Sequence, residues 1–252
     1  MSQTDEKNNK NVQQTLVISY GAPGADAAMA RITVTKQQTW PEYMRVLSNP
    51  QVGADKASRG WSVPAKFSPA YRHGDNFVAR YALTFDYDHV TPADMATLTE
   101  AYSTFEHLAY TTHSHTAEKP RWRYVFPLSR PASHDEFQAV SRAVAAYAGI
   151  ELIAAESFKP SQMMFLPVVK AADQFRVVHN RGMLVDVDAV LGDYDDWTDR
   201  TQWPRRREGD GVHEGDESVD PTKKPGIVGD FCRAYRISEA IEAFGLPYAK
   251  VR

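Results

Sequence analysis

Apolar residues along this chain recur in two rhythms, every second position in some segments and every third or fourth in others. LVISYG (16–21) and RITVTK (31–36) keep the two-residue rhythm on either side of a Gly/Pro/Ala stretch, which predicts two strands joined by a turn. After Thr39, Pro41 falls in the first turn of a predicted short helix whose apolar face is Tyr43, Met44 and Leu47. Residues 49–76 are rich in Gly, Pro, Ser and charge and carry only scattered aromatics, so they read as a long ordered loop, a feature that in compact domains is often functional. NFVARYALTFDYDHV (76–90) reads as a strand ending at acidic residues. Thr91, Pro92 and Asp94 then supply an N-cap, a first-turn proline and an acid three residues on, opening a helix to about Leu108. AYTTHSH (109–115) and RWRYVFPL (121–128) are strand candidates. Ser133 with Glu136 forms a capping box for a helix running to about Gly149. SQMMFLPVV and QFRVVHN supply two more short strands. Beyond about residue 183 the rhythm decays; 205–226 reads as a charged linker or disordered tract, and Ser238 opens a short helix containing Ile241 and Phe244.

Composition narrows the class. Of 252 residues, 42% are hydrophobic and 24% charged, which excludes a wholly disordered chain. A single cysteine, Cys232, leaves no internal disulfide and no thiolate metal site, so a cytoplasmic protein is expected. The polar start MSQTDEKNNK and the shortness of apolar runs such as MMFLPVV predict neither signal peptide nor membrane span. The formal net charge of −3 hides an asymmetry. Asp186 to Asp220 holds twelve acids and four arginines, a balance of −8 that leaves +5 on the remainder. A mildly basic body can meet an anionic partner, because local field steers binding more than total charge does.

Three segments carry candidate chemistry. In FDYDH, Asp86 and Asp88 share one face of a strand end, their α-carbons roughly 6.6 Å apart. Carboxylates that close repel unless a cation neutralises them, and hard oxygen ligands favour magnesium or manganese over zinc. Such ions bridge nucleotide phosphates in phosphoryl transfer. The plain alternative is a solvated turn; what favours the metal is the setting, after a buried-looking strand and before a capped helix. In TTHSHT, His113 and His115 stand two apart, but without a cysteine or third histidine nearby a zinc site would be incomplete. A histidine beside metal-binding carboxylates can instead contact a triphosphate, the alternative being a loop histidine satisfied by backbone. In KPRWR, Arg121 and Arg123 share a strand face with Trp122 on the other, and paired guanidinium groups suit phosphate oxygens.

Taken in order, FDYDHV, TTHSHTAEKPRWRYVFPLSRP and SFKPSQMMFLP resemble the archaeo-eukaryotic primase (primase-polymerase) superfamily. The nearest branch is the N-terminal primase domain of phage, prophage and plasmid replication proteins that precedes a helicase. The resemblance covers roughly residues 60–170 and the terminal GIVGDFCRAYRISEAIEAFG. It implies an α+β fold with an RRM-like antiparallel sheet as catalytic core, flanking helices and a smaller N-terminal α/β unit. It implies Asp86 and Asp88 as ligands of Mg2+ or Mn2+ and His115, with His113 the lesser choice, at the nucleotide's phosphates. Arg121, Arg123 and Lys119 fall on the nucleotide-binding side. The reaction implied is extension of a chain from nucleoside triphosphates on a single-stranded DNA template. One departure matters: where the family places a third acid this sequence has Ala154, so Glu156, or Glu151 upstream, would have to supply that ligand.

Outside this run, Trp61, Phe67, Tyr71 and Arg72 could meet single-stranded nucleic acid, with Arg72 the DNA-binding candidate; such aromatics more often pin a loop to the body, the reading favoured for Trp61. Met163, Met164 and Phe165 read as core, and Arg205, Arg206 and Arg207 as solvated linker. The boundaries expected are a loose 1–14, a primase-polymerase-like domain over 15–200, a linker over 201–226 and a helical segment over 227–252 leading to a fused helicase. Two other classes compete: a catalytically weak or inactive module of the same fold that binds single-stranded DNA or nucleotide, and a metal-dependent nuclease using the same carboxylates.

Overall fold

The computed structural model describes residues 14–24, 31–88, 90–207 and 234. The expected helix after Ser238, the linker beyond residue 207 and His89 lie outside the described residues.

The chain opens with an antiparallel pair, β1 (Thr15–Gly21) and β2 (Ile32–Thr39), as the two-residue rhythm predicts. α1 (Trp40–Leu47) follows without a break. Thr39 caps it, donating its backbone N–H to Glu42 Oε2 at 2.7 Å, and Trp40, Tyr43 and Leu47 form its buried face. The stretch expected to be a loop carries three short strands: β3 (Gln51–Val52), β4 (Trp61–Val63) and β5 (Ala65–Phe67). Their brevity, and the burial of Trp61 and Val63 beside the polar Ser62, gave neither rhythm a chance to show. β6 (Phe77–Tyr87) and α2 (Pro92–Ala101) come next. Both ends of the following strand differ from expectation. β7 is His107–Thr111, so the helix stops at Ala101 rather than near Leu108, and His113 and His115 fall in the turn after the strand. β8 (Trp122–Ala132) and α3 (His134–Ala146) match the pattern, with Ser133 N–H donating to Glu136 Oε2 at 2.8 Å. The rest is β9 (Met164–Phe165), β10 (Val168–Val169), β11 (Val177–Asn180) and α4 (Val187–Gly192).

Two sheets organise the core. β11-β7-β8-β6-β5 is a five-stranded sheet and β2-β1-β4-β9 a four-stranded one, both antiparallel throughout; β10 and β3 add a small parallel pair. Side-chain parity decides which face meets what. Leu83, Phe85 and Tyr87 of β6, with Tyr124, Phe126 and Leu128 of β8, join a core completed by Leu98 and Tyr102 and by Phe137, Val140 and Val144 of α3. The opposite face gives Ala82, Leu108, Tyr110 and Val125, which pack with Leu16 and Ile18 of β1 and Trp40, Tyr43 and Leu47 of α1. An α+β fold on an antiparallel sheet is therefore observed, with α2, α3 and α4 on one face and α1 with the N-terminal strands on the other. The N-terminal strands are completed by β9, from late in the chain. Where the rhythm decays, Val185, Val187, Val190, Leu191 and Trp203 are nonetheless buried on the helical side. Glycine fixes one junction: a Cβ on Gly21 would stand 1.9 Å from the Trp61 ring. Trp61 thus anchors its loop to the body.

Candidate nucleotide and metal cleft

Strand register builds the site. Asp86 of β6 lies opposite Arg123 of β8, and Arg123 opposite Tyr110 of β7, so one level of the sheet reads Asp86, Arg123, Tyr110. All three side chains fall on the face away from α2, α3 and α4. Arg123 grips Asp86 with both arms, Nε to Oδ1 at 2.5 Å and Nη2 to Oδ2 at 2.8 Å, and Nη1 donates to the Phe165 carbonyl at 3.3 Å. Two residues along, Arg121 Nη1 donates to Asp88 Oδ1 at 3.0 Å. The inner pair is the drier one, with side-chain exposures of 13% and 29% against 29% and 47% for Arg121 and Asp88. Burial works to lower the Arg123 pKa, but Asp86 and then Tyr110 reverse it, so the guanidinium is held charged. Burial raises the Tyr110 phenol, with Arg123 opposing.

These groups line a cleft of about 200 Å³. Its far wall is Phe165–Val168, at β9 and β10, and Lys56 enters from the segment before β4, its ammonium 5.3 Å from the centre of the Phe165 ring. His113 and Thr112 complete one side, with His113 Nδ1 3.2 Å from the Val168 carbonyl.

The sequence-predicted residues separate into two groups. Asp86, Asp88, Arg121, Arg123 and His113 converge on the cleft. His115 does not line it: its Nδ1 accepts the Arg121 backbone N–H at 3.1 Å, its ring stands edge-on to Trp122, and burial with nearby Arg176 lowers its pKa. That bond needs an unprotonated Nδ1 and shapes the turn that presents Arg121. Lys119 is exposed in the same turn, its N–H bonded to Thr116 Oγ1 at 3.0 Å, and lies outside the cleft lining. Arg72 stacks on Trp61 at 5.5 Å and donates to the Ser161 carbonyl at 3.1 Å. Glu156 is exposed in a 3-10 turn and does not line the cleft, and Glu151 accepts the Arg207 N–H at 2.7 Å. The departure at Ala154 is sharpened by its position. Ala154 N–H donates to the Asp86 carbonyl at 2.9 Å and Asp86 N–H to Ser157 Oγ at 3.1 Å, so this turn is clipped onto the first acid's own backbone. Among the described residues, no group of three His, Cys, Asp or Glu could hold a metal ion. Sequence reasoning missed Lys56 and Tyr110. Lys56 sat in a stretch flagged only by its length, and Tyr110 becomes visible once register is known.

The donor set fits a magnesium or manganese ion on limited terms. Asp86 and Asp88 together present four carboxylate oxygens; Asp86 Oδ1 and Oδ2 and Asp88 Oδ1 accept from arginine here, and Asp88 Oδ2 lies outside the arginine contact. Two carboxylates with water and phosphate oxygens are a usual magnesium shell.

An α+β protein with paired aspartates and arginines at the end of an antiparallel sheet, facing a cleft also lined by Lys56 and His113, is the class that this geometry defines. The chain belongs to the family described as the VapE N-terminal domain, which matches residues 26–206. Among solved structures it is similar to the AEP domain of the cyanophage S-2L primase-polymerase (PrimPol), at 12% identity and a TM-score of 0.41, covering 74% of this chain and 92% of that one. No curated protein matches it. Among the described residues, no helix is long and apolar enough to cross a membrane.

Proposed function

We propose that this chain is the primase-polymerase domain of a mobile-element replication protein and performs template-directed nucleotidyl transfer. Membership of a family of phage and plasmid replication proteins supports the setting. The observation that carries the chemistry is the convergence of Asp86, Asp88, Arg121, Arg123, His113 and Lys56 on one cleft. In this reading Asp86 and Asp88 hold Mg2+ or Mn2+, which when bound neutralises charge developing on the phosphoryl oxygens. Arg121, Arg123 and Lys56 take the triphosphate's oxygens, and His113, rather than His115, stands at the phosphates. A 3′-hydroxyl oxygen bonds to the α-phosphorus as the bond to the bridging oxygen breaks in line; the hydroxyl proton passes to solvent and pyrophosphate departs.

A second reading is favoured by one specific observation. With alanine at position 154 and Glu156 exposed, the cleft has two acids where the resemblance implies three, which suits a module that binds nucleotide or single-stranded DNA with little or no synthesis. Incubation with single-stranded template, labelled nucleoside triphosphates and Mn2+ separates the two. Template-dependent products from the wild type, absent from Asp86→Ala/Asp88→Ala, are the expected result. Binding without products supports the second reading, and template shortening overturns both in favour of a nuclease.

A further inference from the structure

The charge balance of the cleft points to an order of binding. Two carboxylates, Asp86 and Asp88, are each matched by an arginine, and both oxygens of Asp86 are engaged. Lys56 is the remaining cation of the lining, exposed, and among the described residues no carboxylate lies within ion-pair distance of it. The paired groups cancel and Lys56 is left over, so the cleft as it stands is a site for an anion.

Consider the two possible first arrivals. A divalent cation drawn to Asp86 would set its two charges beside Arg123, whose side chain is 13% exposed and whose anionic partner would then be shared. Leaving a charge that dry without its counter-ion is strongly unfavourable. A triphosphate meets the opposite situation. Its oxygens first reach the unmatched Lys56, and they can then replace the carboxylates as partners of Arg121 and Arg123, because a guanidinium fork matches phosphate oxygens as well as carboxylate oxygens. Each arginine exchanges one anion for another, and Asp86 and Asp88 are released with their oxygens unsatisfied beside phosphate oxygens. That is the ligand set a magnesium-like ion takes.

We propose that this is a phosphate-first site. Lys56 captures the triphosphate, and Asp86 and Asp88 become available to a divalent cation only after phosphate has drawn Arg121 and Arg123 away from them. The Asp–Arg pairs act as a latch that keeps the acids occupied while the cleft is empty. The inference rests on the proposed function, since it assumes that nucleotide binds here, and it assigns to Lys56 a role that neither spacing nor motif suggested.

The test is metal-free binding. Titration of the full chain with a non-hydrolysable nucleoside triphosphate, followed calorimetrically in EDTA and again in Mn2+, is set beside Mn2+ titration without nucleotide, followed by the electron paramagnetic resonance signal of the free ion. The expected result is nucleotide binding in EDTA within about tenfold of that in Mn2+, and no Mn2+ binding below about 1 mM without nucleotide. Lys56→Ala should weaken the metal-free binding about tenfold, while Lys36→Ala, on β2 outside the cleft, leaves it unchanged. Lys56 is exposed, so its removal does not threaten folding. Micromolar Mn2+ binding by the nucleotide-free protein, or nucleotide binding that requires Mn2+, overturns the order and leaves the proposed function standing. Nucleotide binding in EDTA that is indifferent to Lys56→Ala overturns the role of Lys56. Absence of nucleotide binding under both conditions overturns the proposed function, and this inference with it.

Discussion

At the scale of single residues, the site is a matter of what stands beside what on three strands. Asp86 meets Arg123 because their positions are opposite one another in the β6–β8 register, and a one-residue slip of β8 would turn Arg123 to the opposite face and part the two. Asp86 and Arg123 were therefore legible in the sequence from strand parity, and Asp88 and Arg121, one residue beyond the ends of β6 and β8, keep to the same side. His115 was not, because both histidines lie past the end of β7, where parity gives no guidance. There a turn hydrogen bond decides that His115 accepts from Arg121 and leaves His113 in the cleft. Glu156 was expected to replace the third acid on the assumption of an extended segment, but a 3-10 turn leaves it exposed, away from the cleft lining. Ala154 keeps the position, one hydrogen bond from the Asp86 backbone. Installing the missing acid should matter: Ala154→Asp is expected to tighten Mn2+ binding in the presence of nucleotide about tenfold, roughly the worth of one charge-assisted ligand. Calorimetry of wild type and variant checks this, and equal affinities would remove position 154 from the site.

Among the elements, the sharpest dependence is that of the cleft wall on a buried cation. Arg80 of β6 is fully buried, and burial lowers its pKa to about 9, which still leaves it charged at neutral pH. Among the described residues, no carboxylate lies within ion-pair distance of it. Instead it donates to the carbonyls of Ala82, Pro160 and Gln162 and to Thr84 Oγ1, and it lies over the Phe137 ring. It thus ties β6 to the segment that leads into β9, and so to the Phe165–Val168 wall. Arg80→Met fills similar volume but strands those carbonyls. A loss of about 3 kcal/mol is expected, read as a lower urea midpoint with unchanged slope. An unchanged midpoint would mean that the wall is held by packing alone. No sequence rhythm announces such a residue. It follows Ala79 in a strand that otherwise reads as ordinary alternation, and two of the partners of its head, the Pro160 and Gln162 carbonyls, lie about eighty residues away. Capped helices, by contrast, were plain in advance, because α1, α2 and α3 each carry their start signal within four residues.

At the largest scale, β1 and helix α1 pack on one face of the five-stranded sheet through Leu16, Ile18, Trp40, Tyr43, Tyr110 and Val125, while α2, α3 and α4 cover the other face. Short strands inside a Gly- and Pro-rich stretch, and the closing segment to Trp203, escaped sequence reading because tertiary partners rather than local rhythm decide their conformation. Histidines set the molecule's response to mild acid. Burial lowers the pKa of His107, which packs against Tyr124 and Phe126, and of His115. A depressed histidine binds its proton more readily in the unfolded chain. Their contribution to stability is therefore complete above the ordinary value of 6.5 and is lost as pH falls below it toward the folded values. Unfolding free energy should decline between pH 7 and pH 5, and His107→Gln should flatten that decline. Equal slopes for wild type and variant would show that His107 does not titrate on unfolding.

The most direct test of the account is a crystal structure with Mn2+ and a non-hydrolysable nucleoside triphosphate. The account predicts an anomalous manganese peak bound by Asp86 and Asp88, phosphate oxygens on Arg121, Arg123 and Lys56, and the two aspartate–arginine pairs broken. Manganese and phosphates bound elsewhere, with both pairs intact, would contradict it.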